Sequence, residues 1–173
     1  MTEKQEKILN AALELFSKVG YNATSTSKVA KAAGVSEGLI FRHFENKEGL
    51  LKALMQKGEE RMKSMIVDVV METQPKEVIR KTLELPFKVN PDEYDFWKLQ
   101  FKLKWEMEHH YHDKMEPLRA ALTNAFAKLN YEHPALEAQI VEYLLDATSS
   151  TLLKGQLTNA EEFKHFLISK YKL

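Results

Sequence analysis

Between Ser25 and Lys47 the chain reads STSKVAKAAGVSEGLIFRHFENK, an order of polar groups for which a buried core has no use. Hydroxyls open two short segments of helical period, at Ser25 and at Ser36. An Arg42–His43 pair closes the second segment, and Lys47 opens the next. Unpaired N–H groups and the positive dipole end at a helix start suit an anion. Arg and Lys suit phosphate or the acceptor edge of guanine. The chemistry these residues offer is recognition of a polyanion, with no bond made or broken.

Two further constellations stand out. Tyr94, Phe96, Trp97, Phe101, Trp105 and Tyr111 crowd one helical stretch with Met107 and Met115 nearby, and Trp97, Phe101 and Trp105 recur every four residues on one face. Such a wall, with Gln100, Lys104 and His109 as polar neighbours, fits either an apolar small-molecule pocket or a plain hydrophobic core. The run EMEHHYHD, Glu106 to Asp113, offers imidazoles and carboxylates at helical spacing. Zn²⁺ takes such donors, but three ligands from one turn without a distant fourth make a poor cage. A solvated helix end accounts for the run equally well, and neither a metal nor a cofactor is assigned.

Helices must position all of these groups, because nearly every segment has helical period and none alternates as a strand. Ile8, Leu9, Ala12, Leu15, Phe16 and Val19 form one stripe that Gly20 stops. Ser25 or Thr24 caps a second helix that ends at Gly34, and Ser36 caps a third that reaches about Phe44. Asn46 caps a fourth, running to about Glu72. Further helices are expected near 75–89, 92–111, 115–130, 134–155 and 159–171. Pro75, Pro91, Pro117 and Pro134 fall at or near helix starts, whereas Pro86 predicts a kink or an early end. The expected class is all-α with about nine helices. The expected division is a domain over residues 1–47 and a larger helical one over 48–173.

Bulk properties narrow the function. Of 173 residues 44% are apolar and 29% charged, which describes a globular chain able to bury a core. There is no cysteine, so disulfides and thiolate metal sites are excluded. The start is charged and amphipathic rather than signal-like, no window has the apolar length of a membrane span, and a cytoplasmic location is expected. Basic and acidic residues balance at 25 each, with eight basic against six acidic residues up to Lys52. That bias favours polyanion binding by the front end only weakly. No nucleophile–base–acid set can be assembled, no phosphate-binding glycine loop is present and HExxH does not occur, so an enzyme is not expected.

Two short helices joined by a tight turn at Ala33-Gly34-Val35 form a helix-turn-helix, whose second helix can lie in the DNA major groove. Ile40 and Phe44 face the first helix as core, which leaves Glu37, Gly38, Leu39, Phe41, Arg42 and His43 on the outer arc. The segment GYNATSTSKVAKAAGVSEGLIFRHFENKEGLL resembles the amino-terminal signature of the tetracycline-repressor (TetR) family of bacterial transcriptional regulators, over about residues 8 to 51.

The resemblance implies a three-helix DNA-binding domain followed by a helical ligand-binding and dimerisation domain. It also implies roles. Ser25 and Thr26 would touch phosphate, with Ser27 and Lys28 in the same first turn reaching bases or backbone. Ser36 would be the phosphate-facing cap, and Glu37, Gly38 and Leu39 would lie closest to base edges. Arg42 would reach guanine or phosphate, while His43 and Lys47 would anchor the DNA backbone. Phe41 departs from the family's usual Tyr, so one phosphate hydrogen bond of about 0.5–1.5 kcal/mol should be missing.

The expected function is therefore a homodimeric, ligand-responsive repressor that leaves a palindromic DNA operator when a small apolar effector binds. Trp97, Gln100, Phe101, Lys104, Trp105 and His109 are the expected effector wall. Ile140, Leu144, Leu145, Leu152, Phe163, Phe166 and Leu167 are the expected dimer contacts. A ligand-independent DNA-binding protein of division or chromosome organisation is the principal alternative. A helical metalloenzyme built on the histidine cluster is a more distant one.

Overall fold

The computed structural model describes residues 1–106 and 115–173, apart from the side chains of residues 103–106. Among the described residues there are nine α-helices and no strand. In order they are α1 (Glu3–Lys18), α2 (Thr26–Ala33), α3 (Glu37–Phe44), α4 (Lys47–Val70), α5 (Pro75–Glu84), α6 (Tyr94–Glu106), α7 (Glu116–Lys128), α8 (Pro134–Leu153) and α9 (Ala160–Lys170). Short 3-10 turns at Leu85–Lys88 and Pro91–Glu93 lie between α5 and α6. The early end of α5 is the one expected from Pro86, which sits buried inside the first of these turns.

The chain forms two compact units. One comprises Met1–Arg61 with Asp92–Leu103, the other Met62–Pro91 with Lys104–Leu173. The expected boundary at residues 47/48 does not coincide with the boundary between these units. The reason is packing: Leu50, Leu51 and Leu54, in the first turns of α4, are buried in the same core as Ile8, Phe16, Val29 and Ile40. Leu99 of α6 joins that core too, an element that a linear division of the chain leaves out.

In the first unit α1 starts on a reciprocal cap. The Thr2 hydroxyl accepts from the Gln5 N–H at 3.3 Å, and the Gln5 side chain accepts from the Thr2 N–H at 2.8 Å. Its apolar stripe Ile8, Leu9, Ala12 and Phe16 is buried. α6 lies close against α4 at Gly58, where an added Cβ would collide with the Gln100 side chain. Gln100 is buried there and its Nε2 donates to the Leu54 carbonyl at 3.1 Å.

The second unit is built around Phe126, fully buried on α7, with the rings of Tyr131 at 4.9 Å and Tyr171 at 5.8 Å. Arg119 Nε donates to Glu142 at 3.0 Å and ties α7 to α8. Lys81 meets Glu72 at 2.5 Å, and Glu72 also accepts from the N–H groups of Thr73 and Gln74 at the start of α5. These contacts lower the Glu72 pKa from 4.5 to about 2, the Gln74 N–H contributing most, then Lys81, then Thr73.

The expected dimer contacts divide. Leu145 and Leu167 are buried within the protomer, because they fall on the inward side of α8 and α9. Ile140 and Phe166 are exposed, and Leu144, Leu152 and Phe163 are half-buried. Leu136 and Tyr143, which the sequence did not single out, are exposed on α8 beside Ile140. No described helix is long and apolar enough to cross a membrane.

Candidate nucleic-acid interface

The two short helices are held at a sharp turn by backbone chemistry. Gly34 ends α2 with φ 66° and ψ 34°, a left-handed conformation natural to glycine, and its N–H bonds back to Ala30 and Lys31. The Val35 N–H donates to the Ala30 carbonyl at 3.0 Å and completes the stop. At the other end of α2, Ser25 is the cap, accepting from the Lys28 N–H at 3.3 Å. Thr24, the alternative cap, is instead buried, and its hydroxyl donates to the Gly20 carbonyl at 2.8 Å.

On α3, Ile40 is wholly buried and Phe44 half-buried against the same core. The opposite arc is open: Ser36, Gly38, Phe41 and Arg42 are exposed, with Phe41 at 48%. Around Gly38 an added Cβ would meet nothing, so the space for a close approach is present. Leu39 is half-buried and packs partly on the core, a mixture of the two roles open to it. His43 is half-buried, edge-on to Phe44 at 6.3 Å between ring centroids.

Four more of the expected contact residues, Thr26, Glu37, Lys28 and Lys47, are already engaged. Thr26 Oγ1 donates to Glu37 Oε1 at 2.6 Å, which ties the first turn of α2 to that of α3. Lys28 Nζ donates to the Ala23 carbonyl at 3.1 Å. Lys47 Nζ donates to the Tyr21 carbonyl at 3.1 Å and lies 4.3 Å from the centre of the Tyr21 ring. Ser36 is the reverse. It stands at the cap position of α3, but its side chain makes no capping bond, so the expected cap is one of position only. Its exposed hydroxyl remains available to an incoming anion.

Sequence reasoning missed Gly49, although a glycine inside an apolar helical run is itself a signal of close packing. An added Cβ there would run into the Phe44 carbonyl oxygen, so the first turn of α4 sits hard on the end of α3. It also missed the Thr26–Glu37 pair, which joins residues eleven apart and has no periodic signature.

Of the expected effector wall, Trp97 and Gln100 are buried and Phe101 is half-buried. Trp97 meets Phe96 edge-to-face at 5.4 Å, and its indole N–H has no hydrogen-bond partner among the described residues. Lys104, Trp105 and His109 lie outside the described side chains, as does the histidine run at His109, His110 and His112. Among the described residues no cluster of three His or carboxylate side chains could hold a metal.

Residues 8–54, which contain the helix-turn-helix and the start of α4, match the family model of bacterial regulatory proteins of the tetR family. The chain carries a tetR-family head. In sequence it is 49% identical over 55 residues to the HTH-type transcriptional regulator YvkB of Bacillus subtilis, a match covering 32% of this chain and 29% of that protein. The chain spans about a third of the length of the first relatives it matches. Beyond this tetR-family head the likeness is one of fold. The fatty acid degradation regulator FadR of Bacillus halodurans superposes with a TM-score of 0.74 at 20% identity, covering 98% of this chain and 94% of that one. AibR, solved with isovaleryl coenzyme A and operator DNA, superposes at 0.74 with 18% identity, covering 97% of each chain.

Proposed function

We propose that the chain is a ligand-responsive, sequence-specific transcriptional regulator that binds a palindromic DNA operator as a homodimer and is released by a small apolar effector. One observation carries the reading: α3 buries Ile40 completely while presenting Ser36, Gly38, Phe41 and Arg42 to solvent. A helix that served only as core scaffold has no reason to leave an aromatic and a guanidinium on an open arc beside a residue with no side chain. In this reading Arg42 reads guanine or holds phosphate. Ser25, Thr26, Ser27, Lys28, Ser36 and His43 meet the DNA backbone, and Glu37, Gly38 and Leu39 face base edges.

A second protomer would be held through Leu136, Ile140 and Tyr143 of α8 and Phe166 of α9, whose exposures of 56%, 47%, 63% and 60% leave an apolar face uncovered. The effector would lie against Trp97, Gln100 and Phe101, with Lys104, Trp105 and His109 further along the chain. That AibR was solved with both an acyl coenzyme A and operator DNA supports a two-ligand protein of this fold. The role is that of a regulator and not of an enzyme.

Selection of DNA from a random pool by the purified protein tests the reading. The expected result is an enriched inverted repeat with half-sites about one helical turn apart. Failure to enrich any sequence would overturn it. A second reading, a DNA-binding protein without an effector, is favoured by the way Gln100 fills the space over Gly58 and bonds to Leu54. The two separate in a thermal-shift screen of apolar compounds. A sensor gains stability by mass action and loses operator affinity by the same coupling, whereas a filled interior shows neither.

A further inference from the structure

We propose that Glu37 reads a cytosine in each operator half-site, and that Thr26 is a positioning residue that sets the Glu37 carboxylate for that task. The proposal rests on the DNA-binding reading and adds to it the base recognised. Thr26 and Glu37 are the first residues of α2 and α3, and the Thr26 hydroxyl donates to Glu37 Oε1 at 2.6 Å. That length falls in the range of about 2.5–2.7 Å for a hydroxyl on a carboxylate, a bond roughly twice as strong as one between neutral groups.

Neighbouring polar side chains serve their own segment. Thr24 donates to the Gly20 carbonyl, Ser25 accepts from the Lys28 N–H, and Lys28 donates to the Ala23 carbonyl. Thr26 instead reaches from α2 to α3. Glu37 is half-buried with Ser36 and Gly38 exposed on either side, and an added Cβ at Gly38 would meet nothing. The carboxylate therefore stands at the start of the open arc with Oε1 held, while Oε2 has no donor among the described residues. An unheld glutamate samples many rotamers and loses that freedom on binding. The Thr26 bond orders the side chain before DNA arrives. The Thr26 N–H, in the first turn of α2, remains available to phosphate.

Charge and edge chemistry then select the base. An ionised carboxylate only accepts hydrogen bonds, and the phosphates repel it, so it favours binding only where a base offers an amino group. Guanine presents two acceptors in the major groove, and thymine an acceptor and a methyl. Adenine sets its amino group beside the N7 acceptor, which faces a carboxylate unfavourably. Cytosine offers its N4 amino group with no acceptor beside it on the same base, and so suits Glu37 best.

The experiment is selection from a random DNA pool by the full chain and by Glu37→Gln, Thr26→Val and Thr26→Ser. Each selected half-site is then titrated with every base pair at every position. In the unaltered protein one position should require cytosine, other bases binding about tenfold more weakly. Glu37→Gln should move that preference to adenine, whose N6–N7 edge matches an amide. Thr26→Val keeps the shape of the side chain without its donor. It should weaken the cytosine preference by about threefold or more at that position alone, and Thr26→Ser should restore it. Glu37→Ala should weaken operator binding without weakening binding to random DNA, because a carboxylate adds nothing to phosphate contacts.

Three results would overturn the proposal and leave the DNA-binding reading standing. They are an inverted repeat in which no position follows Glu37, a Glu37→Gln profile with the original base, and a Thr26→Val profile unchanged or lowered evenly at all positions. A merely structural role for Thr26 gives the last of these. Should Thr26→Val not fold, Thr26→Ala gives the same comparison. If the unaltered protein enriches no sequence, the DNA-binding reading and this proposal fall together.

Discussion

In the amino-terminal unit three long polar side chains close onto backbone carbonyls: Lys28 onto Ala23, Lys47 onto Tyr21 and Gln100 onto Leu54. In the second unit Lys76 closes onto the Lys172 carbonyl in the same way, but Lys81 to Glu72 and Arg119 to Glu142 join side chain to side chain. A carbonyl does not titrate and lies where the backbone puts it, so the first arrangement fixes turns over a wide range of pH. An ion pair needs both charges, so the second gives way when its carboxylate is protonated. The amino-terminal unit thus leans on backbone carbonyls, alongside the side-chain ties of Thr26 to Glu37 and Arg61 to Glu93. The second unit adds titratable pairs, and each unit has a buried core of its own.

The largest effect should come from the core of the second unit. Phe126→Ala removes a fully buried ring flanked by two tyrosines. It should cost about 3–5 kcal/mol in chemical denaturation. A loss under about 1 kcal/mol would show that the ring cluster does not organise this unit.

Next comes Gly49→Ala in the first unit, where the new methyl meets backbone rather than a yielding side chain. Overpacking of this kind costs about 1–3 kcal/mol, and it falls on the joint behind the reading helix. Operator affinity should drop with it, measured by titration of labelled DNA. Loss of stability with operator affinity intact would show that α3 keeps its position without the joint.

The comparison sharpens under acid. With its folded pKa lowered to about 2 against 4.5 unfolded, Glu72 stabilises the fold fully above about pH 5, and this is lost as pH falls through 2. Glu72→Gln should therefore be less stable than the unaltered protein at neutral pH. The gap should close between roughly pH 4.5 and 2 in denaturation series. A gap that stays constant with pH would mean that the carboxylate charge is not what matters there.

The smallest effect concerns Phe41. Because it is 48% exposed on the open arc, Phe41→Tyr adds a hydroxyl without disturbing the core. Operator binding should tighten by no more than about tenfold, one neutral hydrogen bond's worth. Weaker binding would place the ring against a surface that the hydroxyl cannot share.

What could be read beforehand was whatever depends on neighbours in the chain. The cap at Ser25, the left-handed stop at Gly34, the early end at Pro86 and the buried Ile40 beside an open Phe41 and Arg42 all follow from spacings of a few residues. The helix-turn-helix was legible for that reason, since its whole geometry lies within 47 residues of the family match. The body was less so. Helical spacing points Leu145 and Leu167 to a partner although they are buried in their own protomer, and it does not mark the exposed Leu136 and Tyr143. An apolar residue on a helix looks the same from the sequence whichever neighbour covers it.

The sequence by itself determined the helices, their ends and the arc of α3 that faces outward, because period, caps and backbone freedom act within one or two turns. Only the tertiary structure decided that the first turns of α4 and Leu99 of α6 complete the amino-terminal core. It alone decided that Glu37 is held by Thr26, that Gln100 needs Gly58 beneath it, and that Lys47 bonds the Tyr21 carbonyl. Those pairings join residues 11, 42 and 26 positions apart. They depend on how helices approach one another, and side-chain packing sets that approach through the sum of many small contacts.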